Sequence, residues 1–235
     1  MKIIISPSKT LKPSPYSGPT QIPQFYDKAM KLKHILQNYE PQHIKNHLHV
    51  SEKLANEVYQ RLKDDTLYPA LYYYTGTVFK QLELKNYQDE HLEYLNQHLY
   101  ILDALYGALR YNDLISFYRL DYLSQIEDID LYTYWQEDLK HLFMEEDYMI
   151  NLASNEYAKS IQHGHMITID FCIQKNGRIT RPSMLIKKAR GAFLNAMILQ
   201  KVNNLETLKN ITVDDFCFNE KLSSSTHYVY LKTTD

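Results

Sequence analysis

A strictly alternating segment that ends in a tight turn is the feature that most constrains the fold of this chain. Every second residue from 167 to 173 is isoleucine or phenylalanine, which is typical of a β-strand with one buried face. Asn176-Gly177 follows, and this dipeptide suits the two positive φ angles of a type I′ turn. Pro182 restricts the return strand to a sheet edge or a bulge, so the sequence predicts a β-hairpin at such a place.

Strand-like and helix-like segments alternate along the rest of the chain. Lys2 to Ile5 is a β-branched run that predicts a short buried strand, and Ser51 suits the N-cap of a helix. Residues 99–102 fit either a strand or the start of a helix. Further strands are predicted at 70–74, 149–152, 216–218 and 228–231, and helices at 25–39, 51–63, 89–98, 131–142 and 188–200. This order predicts an α/β fold of the mixed, α+β type: a mixed sheet with flanking helices in a single domain over residues 1–235.

Composition narrows the class of protein. With 44% hydrophobic and 23% charged residues, the chain has the composition of a soluble globular protein. Its first apolar run is too short for a signal peptide, and no segment reaches the ~18 apolar residues of a membrane helix. Cys172 and Cys217 have no metal-ligand spacing, and the His-x-His pairs at 47–49 and 163–165 lack a third ligand. We therefore expect a cytoplasmic protein without membrane segment, metal or cofactor, and we favour a monomer.

Charge is distributed unevenly, although the net charge is only -2. Residues 159–201 contain eight Lys or Arg against one acid, whereas residues 127–147 contain eight acids against one lysine. Such an asymmetry makes one face of the fold electropositive unless the two segments fold together and cancel. The sequence is compatible with both outcomes.

Residues 105–120 mix two arginines, a glycine and several tyrosines into an apolar run. Arg110 and Arg119 carry the guanidinium fork that binds phosphate or carboxylate in a bidentate manner. Gly107 gives the run a weak likeness to a helix-hairpin-helix element, which presents backbone amides to DNA phosphates. The alternative is that both arginines form internal ion pairs with acids such as Asp113 or Asp121.

Ser6-Pro-Ser-Lys9 follows the first predicted strand, at the edge where α/β folds tend to bind ligands. Its lysine and its serine hydroxyls suit contact with an anion. A Ser-x-x-Lys spacing also occurs in acyl-transfer enzymes, but there the pair lies on the first turn of a helix. Pro13 and Pro15 disfavour such a helix, so anion contact by Lys9 and plain loop polarity are the two remaining interpretations.

A second polar segment, Asn151 to Tyr157, follows the strand predicted at 149–152. Ser154 or Asn155 suits the N-cap of a helix, and Glu156 would then face a cleft together with Tyr157. A helix N-terminus also attracts anions. Capping alone explains either residue taken singly, so both interpretations stay open.

Lys187-Lys-Ala-Arg-Gly191 is the densest basic cluster, and Arg178 and Arg181 extend it across the hairpin. Phosphate binding is its most direct physical use, because each contact releases counterions and adds affinity that does not depend on base sequence. A surface helix could carry the same residues for solubility alone. We favour phosphate contact.

Six segments, in this order, resemble the YaaA family of peroxide stress proteins. They span nearly the whole chain, and together they are far more specific than any one of them. The segments are Ile5 to Leu11, Tyr74 to Gly76, Leu105 to Leu120, Leu131 to Trp135, Ile150 to Tyr157 and Lys187 to Gly191.

The resemblance implies a cytoplasmic bacterial protein with a single α/β fold, a positively charged cleft and a possible helix-hairpin-helix-like element. It also implies DNA binding and a role in hydrogen peroxide stress, in which free iron and DNA damage are limited; no established reaction comes with it. The residues that it implies for DNA or anion binding are Lys9, Arg110, Arg119, Lys187, Lys188 and Arg190. We expect the same cleft to be lined by Ser6, Tyr118, Asn151, Ser154, Glu156 and Tyr157.

This chain departs from the family pattern near its two arginines. Tyr111 and Asn112, and later Phe117, interrupt stretches where the family has prolines, and residues 121–123 replace the family's Glu-Met-Gly. Ala158 stands where the family usually has an aromatic residue. These changes alter the shape expected of the loop but keep its arginines.

The leading hypothesis is a protein that binds duplex or branched DNA through phosphate contacts, with little base readout. The alternative is an enzyme that acts on a small anionic or nucleotide ligand in the same cleft. Direct sequestration of iron is a third hypothesis.

Overall fold

The computed structural model describes residues 1–234 as a mixed sheet flanked by helices, which confirms the predicted α/β class. The strands are β1 (Lys2–Ile5), β2 (Tyr68–Pro69), β3 (Leu99–Asp103), β4 (Gly107–Leu109), β5 (Leu114–Ile115), β6 (Met149–Asn151), β7 (Met166–Lys175), β8 (Arg178–Thr180), β9 (Cys217–Phe218) and β10 (His227–Thr234). The helices are α1 (Tyr26–Gln37), α2 (Pro41–His47), α3 (Glu52–Arg61), α4 (Ala70–Tyr73), α5 (Asp89–His98), α6 (Leu131–Phe143), α7 (Asn155–Ala158), α8 (Ser183–Leu199) and α9 (Leu205–Lys209), with 3₁₀ turns at Phe79–Gln81 and Glu220–Leu222.

Strand β1 lies inside an eight-stranded sheet of order β4-β3-β1-β6-β7-β10-β9, in which β8 pairs with β7. It runs parallel to both neighbours, with Ile4 in register with Tyr100 of β3 and Asn151 of β6. Ile3, Ile4 and Ile5 are at most 1% exposed. The continuous apolar run is therefore what a strand covered on both faces requires.

The chain changes direction across the sheet after the β3–β4 hairpin. From β1 it passes to β3 on one side, and from β4 it crosses to β6 on the other side of β1. The loops that follow β1 and β6 therefore diverge where these two parallel strands end. In open α/β sheets, such a topological switch point is where ligands bind.

The hairpin predicted around Asn176-Gly177 is confirmed. Strands β7 and β8 pair antiparallel, and φ is 49° at Asn176 and 75° at Gly177, as a type I′ turn requires. Strand β8 has three residues and, among the strands that the structure describes, pairs with β7 alone, so it lies at an edge. Pro182 precedes α8, which begins at Ser183 rather than at the predicted 188, because the fixed φ of proline is compatible with a helix start.

Residues 70–74 do not form the predicted strand. Residues 70–73 form helix α4 directly after β2. The backbone amides of Ala70 and Leu71 donate to the carbonyls of Asp113 and Tyr111, which holds the segment beside β5. Tertiary contacts here override the β-propensity of an aromatic run.

Helices α1, α3, α5 and α6 lie within two residues of their predicted ends. Ser51 caps α3 as predicted, since its side chain accepts a hydrogen bond from the Leu54 amide at 3.3 Å. Helix α2 was not predicted. Pro41 ends the pattern of α1 but also begins α2, because the first helical position does not need an amide donor.

Residues 99–103 form β3, which decides between the strand and the helix that the sequence left open. A short turn joins β3 to the antiparallel β4, with Asp103 paired to Gly107. This strand–turn–strand hairpin corrects the expectation of a helix-hairpin-helix-like element at Gly107, which would need a helix on each side. The turn is anchored on α6, where the buried Trp135 indole donates to the Ala104 carbonyl at 2.9 Å.

Candidate anion-binding cleft

A cleft of ≈ 420 Å³ lies at the carboxyl ends of β1 and β6, at the topological switch point. Ser6 follows β1 directly, and Ser154 lies in the loop after β6. Ser6 Oγ accepts a hydrogen bond from the Ser154 amide at 2.8 Å and donates to the Ser154 hydroxyl at 3.2 Å, which joins the two loops. We call this space the Ser6 cleft. It is lined by residues 5–10 and 76–79, by side chains of the loop after β6 and of α7, and by Lys187 and Arg190 of α8.

Gly191 allows α8 to approach the cleft closely. A Cβ at this position would lie 2.3 Å from the Val78 carbonyl oxygen and 2.8 Å from Gln81 Cγ, so a larger residue does not fit without a shift. The contact packs α8 against residues that line the cleft, and Lys187 and Arg190 of the same helix line it as well. The glycine of the basic cluster therefore has a packing role that the sequence alone does not reveal.

Arg190 is half-buried and has no partner among residues 1–234. Its side chain makes no hydrogen bond or ion pair there, and its Nε atom is buried without an acceptor. Burial lowers the pKa of Arg190, and the negative charge of Asp170 opposes this effect. Since a buried charge without a hydrogen-bonded partner costs free energy, this position is suited to an anionic ligand.

Glu156 lines the same cleft, and its buried Oε1 has no hydrogen-bond partner among residues 1–234. Burial raises the pKa of Glu156, the charge of Asp121 raises it further, and the ammonium group of Lys9 opposes both. A carboxyl group with a raised pKa keeps its proton more readily. In that form it can donate a hydrogen bond to an anion.

Lys9 also lines the Ser6 cleft, and the Arg119 side chain is hydrogen-bonded to the Lys9 backbone. Lys9 Nζ lies 2.6 Å from a carboxylate oxygen of Asp121, whereas Arg119 Nη1 donates to the Lys9 carbonyl at 2.9 Å. In the part of the chain that the structure describes, neither Arg119 nor Lys187 has a carboxylate partner within 4.0 Å. The structure thus brings Lys9, Lys187 and Arg190 together in one cleft, with Arg119 next to Lys9.

A second hollow of ≈ 610 Å³ adjoins the Ser6 cleft, and Ser154, Glu156 and Arg190 line both. Arg181 lies in this second hollow, where Asp170 neutralises it at 2.8 Å. We call it the Asp170 groove. The shared side chains make the two hollows continuous, so a ligand longer than the cleft can extend into the groove.

Arg110 and Lys188 lie outside the Ser6 cleft. The Arg110 guanidinium stacks on the Tyr100 ring at 4.2 Å and donates to the Asn96 carbonyl, near the amino-terminal end of β3. Lys188 forms an ion pair with Asp214 at 3.2 Å in a separate hollow of ≈ 540 Å³. The structure therefore does not bring all six predicted cations together.

Of three further residues expected in the cleft, Tyr157 lines it, whereas Asn151 and Tyr118 do not. Tyr157 lines the cleft and is buried, and its burial raises the pKa of its hydroxyl. Asn151 is buried in β6, where its Oδ1 accepts a hydrogen bond from the Ala153 amide at 2.9 Å, so it shapes the loop without lining the cleft. Tyr118 is buried, and its hydroxyl donates to Asp103.

A buried cluster around Asp103 is the feature that the sequence reasoning missed. Asp103 is 0% exposed and accepts hydrogen bonds from the amides of Leu105 and Tyr106, both at 2.8 Å, and from the hydroxyls of Tyr74, at 2.9 Å, and Tyr118. Burial raises the pKa of the Asp103 carboxyl and of both tyrosine hydroxyls. The cluster holds the β3–β4 turn and Tyr118 together. The sequence signal for this cluster was an acidic residue, Asp103, at the last position of an otherwise apolar strand.

Two negative findings apply to residues 1–234. No group of three or more His, Cys, Asp or Glu residues is placed to hold a metal ion. No helix in that range combines the length and the apolar character needed to cross a membrane.

Fold and site together define an α/β protein with a cation-lined cleft at the switch point of a mostly parallel sheet. The model of the family described as peroxide stress protein YaaA matches residues 1–222. The chain belongs to this family, which confirms the resemblance found in the sequence.

Similar proteins cover the chain almost from end to end. A UPF0246 protein of Fusobacterium nucleatum subsp. nucleatum is 35% identical over 245 residues, which cover 99% of each chain. A UPF0246 protein of Alteromonas mediterranea is 32% identical over 100% of this chain and 99% of its own length. A UPF0246 protein of Rickettsia conorii is 30% identical over 99% of this chain and 100% of its own length.

Proposed function

We propose that this protein binds DNA in the Ser6 cleft and the Asp170 groove, through phosphate contacts, in the cytoplasmic response to hydrogen peroxide. Arg190 carries the proposal, because its half-buried guanidinium has no hydrogen-bond or ion-pair partner among residues 1–234. Lys187 and Arg119 add positive charge that no carboxylate pairs within residues 1–234. Since phosphate contacts carry little sequence information, duplex and branched DNA of any sequence are the expected ligands.

The name of the family supports the link to peroxide stress. We further propose, from the resemblance, that the protein limits DNA damage and free iron under this stress. DNA binding requires no cofactor and no chemical reaction, because the bound phosphates need only fixed cations and hydrogen-bond donors.

DNA binding is tested by fluorescence anisotropy with a short labelled duplex, between about 50 and about 200 mM salt, where contacts with several phosphates make affinity fall steeply. Arg190→Gln should weaken binding on all sequences alike and lower the salt slope by about 1. Lys188→Gln is the matched control, because it removes one charge from the same helix, outside the cleft and paired with Asp214. Absence of binding at low salt, or equal losses in both variants, would contradict the proposal.

Glu156 favours a second candidate function, an enzyme acting on a small anionic or nucleotide ligand. A half-buried carboxyl with a raised pKa in a cleft is suited to general acid catalysis. Turnover of a phosphorylated metabolite by the wild-type protein, with loss of kcat and unchanged KM in Glu156→Gln, would support this function. Failure of a panel of nucleotides and sugar phosphates to turn over would count against it.

A further inference from the structure

We propose that the Ser6 cleft binds the terminal phosphate of a nucleic-acid strand, a phosphate monoester, in preference to an internal phosphodiester. This inference rests on the proposed function and names the part of the polymer that enters the cleft. It comes from the shape of the cleft, its charges and its apolar walls.

The shape of the cleft favours a chain end. Its volume of ≈ 420 Å³ falls in the range of about 300–1,000 Å³ that is typical of small-molecule pockets. Its walls include the buried side chains of Ile5, Phe79, Leu152 and Tyr157. Lys187 and the half-buried Arg190 line this pocket, and a phosphate that protrudes from a strand end can enter it more deeply than a phosphate inside a duplex.

The charges of the cleft match a monoester better than a diester. Lys187 and Arg190 line it without carboxylate partners among residues 1–234, whereas Asp121 neutralises Lys9 at 2.6 Å. An internal phosphodiester carries one negative charge, but a monoester carries about 1.5 to 2 at neutral pH. Two cations without carboxylate partners among residues 1–234 are therefore balanced by one terminal phosphate.

The walls of the cleft suit the nucleotide that carries this phosphate. Ile5, Phe79 and Leu152 give it an apolar wall, which a base or a sugar can contact without sequence readout. The Asp170 groove, which shares Glu156 and Arg190 with the cleft, leaves space for the rest of the strand. Oxidative cleavage of the DNA sugar leaves phosphorylated ends, so such a site is chemically suited to a peroxide stress protein.

The test compares two duplexes of identical sequence that differ only in a phosphate or a hydroxyl at one strand end, with the 5′ and the 3′ end examined separately. We expect about tenfold tighter binding of at least one phosphorylated end, since a hydrogen-bonded charge pair contributes on this scale. Arg190→Gln should abolish the difference, and Lys188→Gln should keep it. Lys187→Gln is a second cleft variant, whose exposed side chain makes loss of folding a minor concern, and it should reduce the difference.

Thermal stabilisation by a nucleoside 5′-monophosphate, compared with inorganic phosphate, separates this inference from DNA binding itself. Stabilisation by the monophosphate without binding to any duplex would support the monoester site and refute the DNA proposal. Equal affinity for both kinds of end, with no stabilisation by the monophosphate, would overturn the inference and leave DNA binding intact. Equal stabilisation by inorganic phosphate and by the monophosphate would overturn the assignment to a strand end.

Discussion

Replacing Asp103 with alanine should remove the acceptor that holds the β3–β4 turn together. The carboxylate accepts hydrogen bonds from the amides of Leu105 and Tyr106 and from the hydroxyls of Tyr74 and Tyr118. The two hydroxyls lie 2.8 Å apart, so one can still donate to the other. Three buried donors then lose their acceptor. At ~1–3 kcal/mol for each, the free energy of unfolding should fall by ~3–9 kcal/mol, a large part of the ~5–15 kcal/mol of a typical domain.

Asp103→Asn separates the hydrogen bonds from the charge. The asparagine carbonyl can still accept from the two amides, and its NH₂ group can donate to a tyrosine oxygen. The remaining loss should be ~1–2 kcal/mol, because the number of buried groups without partners hardly changes. The asparagine variant should therefore fold under conditions in which the alanine variant is partly unfolded.

Urea unfolding measures both variants, with far-UV circular dichroism and tryptophan fluorescence as probes. The chain has one tryptophan, Trp135, and its indole donates to the Ala104 carbonyl in the turn at 2.9 Å, so the fluorescence reports on the affected segment. Two results would refute the reasoning. One is an Asp103→Ala protein within ~1 kcal/mol of wild type, which is the range of ordinary substitutions; the other is an equal loss in Asp103→Ala and Asp103→Asn.

Three further substitutions test the packing, the hairpin and the pKa of the cleft carboxyl. Gly191→Ala should cost about 1–3 kcal/mol and weaken DNA binding, because its Cβ would lie 2.3 Å from the Val78 carbonyl oxygen; an unchanged Tm and affinity would count against this. Gly177→Ala should lower stability by about 1–2 kcal/mol in thermal unfolding without changing DNA affinity, because φ is 75° there. Burial raises the pKa of Glu156 above its usual 4.5, so its proton stabilises the folded state fully below pH 4.5 and this contribution is lost as pH rises through the raised value. Glu156→Gln does not titrate and should gain stability relative to wild type over that rise; a difference that stays constant with pH would refute it.

Local signals predicted most of the fold. The Asn176-Gly177 hairpin follows from alternation and turn chemistry alone, and both are properties of a few neighbouring residues. The strand predicted at residues 70–74 is wrong for the opposite reason. Their aromatic side chains favour a strand, but the amides of Ala70 and Leu71 are held by carbonyls more than 30 residues away, at Asp113 and Tyr111. Such contacts cannot be predicted from the residues of the segment alone.

The site was predicted in its parts but not in its arrangement. Helical geometry places Lys187 and Arg190 on one face, because they are three residues apart, and turns Lys188 away. The separation of Lys188 from the other two could have been inferred from the sequence, although the three residues form one basic cluster along the chain. The order of the strands around β1 could not be inferred from the sequence, since the switch point arises when the chain crosses from β4 to β6. Arg110 shows the same limit: it lies only nine residues before Arg119, but at another end of the sheet.

The uneven charge of the sequence persists in the folded protein, because its acidic and basic segments do not pair. Within residues 1–234, no ion pair joins residues 127–147 to residues 159–201. Asp138 and Glu146 of the acidic segment pair with lysines near the amino-terminal end of the chain. Within residues 159–201, the basic residues with an acidic partner are Arg181, Lys188 and Lys201. Lys187 and Arg190 have no ion-pair partner among residues 1–234, so in the proposed function the same two side chains would attract an anionic polymer and hold the phosphate that enters the cleft.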